Sequence, residues 1–184
     1  MAGLIGKKLE MTRIIKENVF IPVTLIEIPD NTVNQIKNID KDGYSSVVLH
    51  SNVSSKKWKL KEVSSDWYES LKKGDILSIE KLEKIESVEV VSFSKWKWFA
   101  WAMKRHNFHG WPKTHGSKFH RALWSIWTRK PRKTKPWKKM HGHMWNEQIK
   151  LKKISIEYID KDLKVIALKG WIPWARNSVV ILNF

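Results

Sequence analysis

Residues 95–146 carry fourteen Lys and Arg and not one Asp or Glu. Six of the seven His and eight of the twelve Trp of the chain fall in the same stretch. This feature limits the fold more than any other. Fourteen like charges with no internal counter-charge repel one another. The apolar residues between them follow neither a helical nor a strand period, and Pro112, Pro131 and Pro136 interrupt any long element. A segment of this kind does not build a core of its own. Inside a compact domain, a loop of this length is functional or disordered. The expectation is an extended arm that orders against a polyanion and loses entropy in doing so. A merely solvated charged loop would not require the complete exclusion of carboxylates.

The rest of the chain is of another character. Of the net charge of +17, the other 132 residues contribute +3, from 21 basic and 18 acidic side chains. The protein therefore reads as a near-neutral body with a cationic arm, the footprint of a nucleic-acid binder. At 184 residues the body is large enough for one core. The absence of Cys excludes a disulfide framework and thiolate metal sites and fits a reducing cytosol. No apolar run has the length of a signal peptide or membrane span, so a soluble cytoplasmic protein is expected.

The body reads as short strands separated by turns. Residues 3–15 and 19–28 are rich in Ile, Val, Leu and Thr, with Lys16-Glu17-Asn18 as the turn between them and the second run covered on both faces. Residues 32–39 alternate, Asp40-Lys41-Asp42-Gly43 signals a hairpin, and 44–50 close it. After a polar connection from Ser51 to Lys57, Ser65-Asp66 could cap a short helix ending at Gly74. Residues 75–81 and 87–94 read as a strand pair. Beyond the arm come 148–159, the turn Asp160-Lys161-Asp162, 163–169, and a last strand over 178–182. The predicted class is mainly β, a single barrel formed by 1–94 and 147–184 with a short helical or irregular insert around 51–74. The largely irregular basic extension, 95–146, is inserted between two of its strands.

Phosphate is the natural partner of the arm. Lys95, Lys97, Lys104, Arg105, Lys113, Lys118, Arg121, Arg129, Lys130, Arg132, Lys133, Lys135, Lys138 and Lys139 are the candidate phosphate contacts. Arg grips phosphate bidentately and Lys acts as a point charge. His106, Thr114, His115, His120, His143 and Asn146 are candidates for hydrogen bonds to the nucleic acid. His141-Gly142-His143 and His106-Asn107-Phe108-His109 invite a metal reading, but with no Cys or carboxylate nearby and many cations around them no metal is expected. No nucleophile–base pair, phosphate-binding Gly loop or carboxylate pair suggests an enzyme or a small-molecule substrate, and no cofactor is expected. The alternative from another class is a Trp/Lys-rich protein of anionic membrane surfaces. It needs an amphipathic helix, which the three prolines oppose.

Longer strings in the chain resemble a known family. Phe119 to Trp127, FHRALWSIW, is similar to the FHRAxGSIG string of the bacterial large-subunit ribosomal protein L-three family. KKMHGHMWN, ending at Asn146, resembles its KKMxGHMGN, and the stretch from Ser94 to Gly116 resembles its SKGKGFxGxxKRHxFxGGPxTHG. Outside the arm, Gly3-Leu4-Ile5-Gly6-Lys7-Lys8 with Met11-Thr12, then Pro22-Val23-Thr24, Asp42-Gly43-Tyr44 and Lys169-Gly170-Trp171-Ile172-Pro173-Trp174 match the family in order, most weakly from Ser51 to Asp75. The resemblance implies a translation-protein-type β-barrel at the surface of the large subunit. It also implies an extension that threads through 23S ribosomal RNA toward the peptidyl-transferase region, binding near the RNA's 3′ end, and an early place in assembly. Neighbouring large-subunit proteins are implied as further partners, with no catalysis by the protein itself. Glu10 departs from the family, which usually has Gly there. His143 stands where some members carry a methylated Gln, so that modification is not expected.

One departure is systematic. Trp96, Trp98, Trp101, Trp111, Trp124, Trp127, Trp137, Trp145 and Trp174 all fall where the family pattern has Gly. Ordinary substitution would scatter over Ala, Ser and Asn. Either these tryptophans stack on bases, for about 1–3 kcal/mol each, or the gene encodes Gly with UGA and conceptual translation renders it as Trp. Physical chemistry favours the second reading, because Gly permits left-handed backbone and close approach to RNA where Trp blocks it. Trp58, Trp67 and Trp171 are read in the same way, although the family pattern does not settle them.

Overall fold

The computed structural model describes residues 3–52, 60–63, 70–126 and 133–184. The expected helix cap at Ser65-Asp66, together with Trp58, Trp67, Trp127, Arg129, Lys130 and Arg132, lies outside the described residues. The chain divides into two compact units, Met1–Ser94 with Gln148–Phe184, and Lys95–Glu147.

The body is mainly β. It begins with β1 (Gly3–Lys16) and β2 (Val19–Glu27), which form an antiparallel hairpin closed at Lys16↔Val19. The two-residue turn has Glu17 at φ 51° and Asn18 at φ 62°, the left-handed pair whose twist matches that of the strands. Then come β3 (Asn31–Lys37), a helical turn α1 (Ile39–Asp42), β4 (Ser46–Ser51), β5 (Leu60–Val63) and β6 (Ile76–Leu77). A 3₁₀ turn (Ile79–Leu82) leads into β7 (Ser87–Phe93). The expected hairpin signal at Asp40-Lys41-Asp42-Gly43 joins β3 to β4 through that helical turn, which Gly43 ends at φ 78° by donating its N–H to Ile39 O. The chain returns to the body with β10 (Gln148–Asp160), β11 (Val165–Lys169) and β12 (Val179–Asn183), the labels β8 and β9 belonging to the arm.

Six strands close on themselves in the order β1-β12-β7-β10-β11-β2, every neighbour antiparallel. Register shifts between Lys8 and Met11 in β1, and at two places in β10, bend these long strands round the ring. Three sequence expectations are corrected here. The body is not one barrel alone: β5-β4-β3-β6 form a separate four-stranded sheet. Residues 75–81 and 87–94 do not pair with each other either. β6 pairs β3 in the small sheet, and β7 pairs β10 and β12 in the ring. The run 19–28 is also covered on both faces only in its second half, since Val19 and Phe20 are exposed.

One apolar cluster serves both sheets. It joins Leu4, Ile26, Val90, Leu168 and Leu182 of the ring to Val33, Leu49, Val63 and Leu77 of the small sheet. Full burial of each such side chain stabilises the fold by roughly 1.5–3 kcal/mol relative to exposure. The small sheet lies tight on the start of β1, where a Cβ at Gly3 would stand 2.1 Å from Val63 Cγ1. Asn31, fully buried, completes β1 where that strand lacks β2 as a partner. Its Oδ1 accepts from Ile5 N–H at 3.2 Å and its Nδ2 donates to Ile5 O at 3.2 Å and Pro29 O at 2.9 Å. Lys8, also buried, sends its ammonium to Ile172 O at 2.6 Å and Trp174 O at 3.3 Å, anchoring the loop before β12.

The arm leaves after β7 and returns at β10. Phe93, the last residue of β7, is the ladder partner of Gln148, the first of β10. The insertion therefore opens from the end of one antiparallel pair, and the ring is complete without it.

Candidate nucleic-acid interface

The arm contains little regular structure. β8 (Lys97–Ala100) pairs antiparallel with β9 (Gly142–Met144), through Lys97↔Met144 and Ala100↔Gly142. Between them lies α2 (Ala102–His106), which stops where Asn107 turns left-handed at φ 57°. Among the described residues of the arm only Ala100 and Ala102 are buried. With so small a core, polar ties hold the local shape. Arg105 Nη1 donates to Met140 O at 2.8 Å, and His106 Nε2 lies 3.0 Å from the same oxygen. Further along, Trp111 N–H donates to His120 O at 3.3 Å, and His120 Nδ1 is 3.0 Å from Pro112 O. The strands of chain cross so closely here that a Cβ at Gly110 would stand 2.8 Å from His120 O.

Most of the predicted contacts face outward. Lys95, Lys97, Lys104, Arg105, Lys113, Thr114, His115, Lys118, His120, Arg121, Lys133, Lys135, Lys139, His143 and Asn146 are exposed, and His106 and Lys138 are half-buried. Their positions follow from local turns. His115 and Gly116 are left-handed at φ 58° and 73°, so 114–117 fold back, with Ser117 N–H directed to Thr114 O at 3.5 Å and Lys113 and Lys118 flanking the turn in sequence. Arg105, His106 and His120 spend hydrogen-bonding capacity inside the arm, which makes them supports of its shape as well as candidate contacts. Lys104 Nζ lies 5.3 Å from the centre of the Trp145 ring. The His143 ring stacks on Trp96 with centroids 5.6 Å apart.

His141 and His143 do not converge on a common point with further ligands. His141 lies against Phe99 and Trp101 at 5.3 and 5.7 Å. No group of three or more His, Asp or Glu that could hold a metal ion exists among the described residues. The electrostatic character of the site is set by sequence, for no carboxylate of residues 95–146 exists to neutralise a cation from within. In an aqueous surface of this sign, anions concentrate and oriented polyanions are attracted.

Three exposed lysines of the body, Lys150, Lys152 and Lys153 on β10, lie outside the sequence-predicted set. Counting charge by segment hid them, because nearby acidic residues balance the total. The alternation in Gln148-Ile149-Lys150-Leu151-Lys152 was the available signal. No helix among the described residues is long and apolar enough to cross a membrane.

No family model matches the chain. Individual proteins do. It is 35% identical over 203 residues to large ribosomal subunit protein uL3 of Borreliella burgdorferi strain ZS7, covering 100% of this chain and 98% of that one. The protein of the same name from Borrelia garinii subsp. bavariensis gives the same identity and coverage. That from Borrelia hermsii strain HS1 is 34% identical over 205 residues, with 100% and 97% of the two chains covered.

Proposed function

The chain belongs to the large ribosomal subunit protein uL3 family, and from that premise we propose that it is a non-catalytic structural constituent of the large ribosomal subunit whose arm binds 23S ribosomal RNA directly. The body sits with neighbouring ribosomal proteins, and the ribosome is its cytoplasmic location. The arm enters early in assembly and reaches toward the peptidyl-transferase region. There it stabilises the RNA fold that performs the chemistry.

The observation that carries this reading is the arm itself: a carboxylate-free segment whose described cations are almost all exposed. Each phosphate it neutralises releases counterions, so binding weakens as salt rises, with log K falling by roughly 0.7–0.9 per contact for each tenfold increase. A membrane-surface protein would need an amphipathic helix. The described part of the arm holds only the five-residue α2.

Co-sedimentation is the test. The protein in a cell extract is expected in the large-subunit fraction at moderate salt, and vesicles of anionic phospholipid added to that extract are expected not to draw it away from the subunits. Absence from large subunits together with vesicle binding would overturn the proposal.

A further inference from the structure

RNA binding leaves the tryptophans unexplained. Three of them adopt backbone that their side chains oppose: Trp137 at φ 62°, Trp145 at φ 70° and Trp174 at φ 95°. For an L-residue this region brings Cβ against the neighbouring carbonyl, and for a bulky residue it is a true outlier. Such strain persists only where the surroundings enforce it.

At Trp137 the side chain enforces nothing, being 98% exposed. The chain nevertheless turns there, with Lys138 N–H directed to Lys135 O at 3.4 Å. Pro136 takes the second place of that four-residue turn and Trp137 the third. A left-handed third residue after Pro is the type II pattern, whose third place requires Gly or Asn. Trp145 is followed by Asn146 at φ 65°, two left-handed residues in succession. Trp174, at φ 95°, lies beyond the left-handed helical region, in space used by Gly. Its backbone is held there by Lys8, which donates to its carbonyl oxygen. The other non-glycine residues with positive φ are four Asn, Glu17, His115, Lys153 and Lys164, residue types and places at which turns and bulges ordinarily form.

Composition points the same way. A chain of 184 residues with 8 Gly and 12 Trp has inverted the usual proportion, in which Gly is about 7%. We propose that the codons written as tryptophan at positions 137, 145 and 174 are read as glycine by the cell that makes this protein. The turn at 135–138 then has the residue it requires. At 137 and 145 the arm then offers bare backbone that can lie against phosphate, and in that consequence alone the inference rests on the RNA-binding reading.

Two observations test it. Tandem mass spectrometry of the protein from its own cells is expected to show Gly at 137, 145 and 174, and the gene is expected to carry UGA there. Tryptophan-containing peptides at any of these three positions, or UGG codons, would overturn it. The peptides are sought in whole-cell extract as well as in ribosomal subunits. A protein missing from subunits would contradict the proposed function while its peptides still report the residue.

Discussion

Asn31 shows how much of the body rests on single polar side chains. It serves both the N–H and the C=O of Ile5 from a fully buried position. Asn31→Ala would leave both groups dry and unmet, and a loss of about 1–3 kcal/mol is expected per buried group left unsatisfied. Urea unfolding of the purified protein checks it through the transition midpoint. At the surface, Glu62 accepts from Ser46 Oγ at 2.6 Å and from Lys37 Nζ at 2.9 Å. The Ser46 hydrogen bond, with that of Lys37 next, lowers its pKa below the ordinary carboxylate value. A carboxylate with a depressed folded pKa adds stability that is present above its unfolded pKa and lost as pH falls through the folded one. The pair is solvent-screened, so Glu62→Gln is expected to cost about 0.5 kcal/mol or less at neutral pH. The difference from the unsubstituted protein should vanish below the folded pKa, as urea midpoints at both pH values would show. Neither cluster was legible in the sequence, because Asn31 and Ile5, or Lys37 and Glu62, meet only after distant segments pair. What was legible at this scale was charge, since electrostatic sign needs no contact map.

Among elements, three hairpins were readable because turn chemistry is local. Glu17-Asn18, Asp40-Lys41-Asp42-Gly43 and Asp160-Lys161-Asp162 lie between strand-forming runs and join β1–β2, β3–β4 and β10–β11. The expected pairing of 75–81 with 87–94 failed for the opposite reason. β7 has as partners β10 and β12, both of which follow the arm in sequence, so nearness along the chain misled. The small sheet escaped notice because its strands alternate just as barrel strands do. In the arm, the sequence showed the missing core but not the tie that replaces it. Arg105 and His106 both reach Met140 O from the last turn of α2. Arg105→Ala removes a charge-assisted hydrogen bond of about 1.5–3 kcal/mol at most, less at an exposed site. Amide hydrogen exchange at 142–144 is expected to quicken several-fold, with the amides of β1 and β2 unchanged.

On the scale of the whole molecule, the body and the arm divide the work of folding and binding. Because Phe93 and Gln148 are ladder partners, replacing 95–146 by a short Asn-Gly turn should leave a body that unfolds cooperatively. Because the turn closes a far shorter loop, the stability of the body is expected to match or exceed that of the intact chain, by up to about 3 kcal/mol. Denaturant unfolding of the shortened chain measures this. The charge asymmetry that first set the arm apart is also its central functional claim. A salt titration of binding to large-subunit ribosomal RNA tests that claim most directly. It compares the intact chain with a full-length variant carrying Lys133, Lys135, Lys138 and Lys139 as Gln. If these lysines meet phosphate, the variant binds more weakly and its log K against log salt is shallower by roughly 0.7–0.9 per lost contact, about 3 in all. Equal affinity and an unchanged slope would contradict the account.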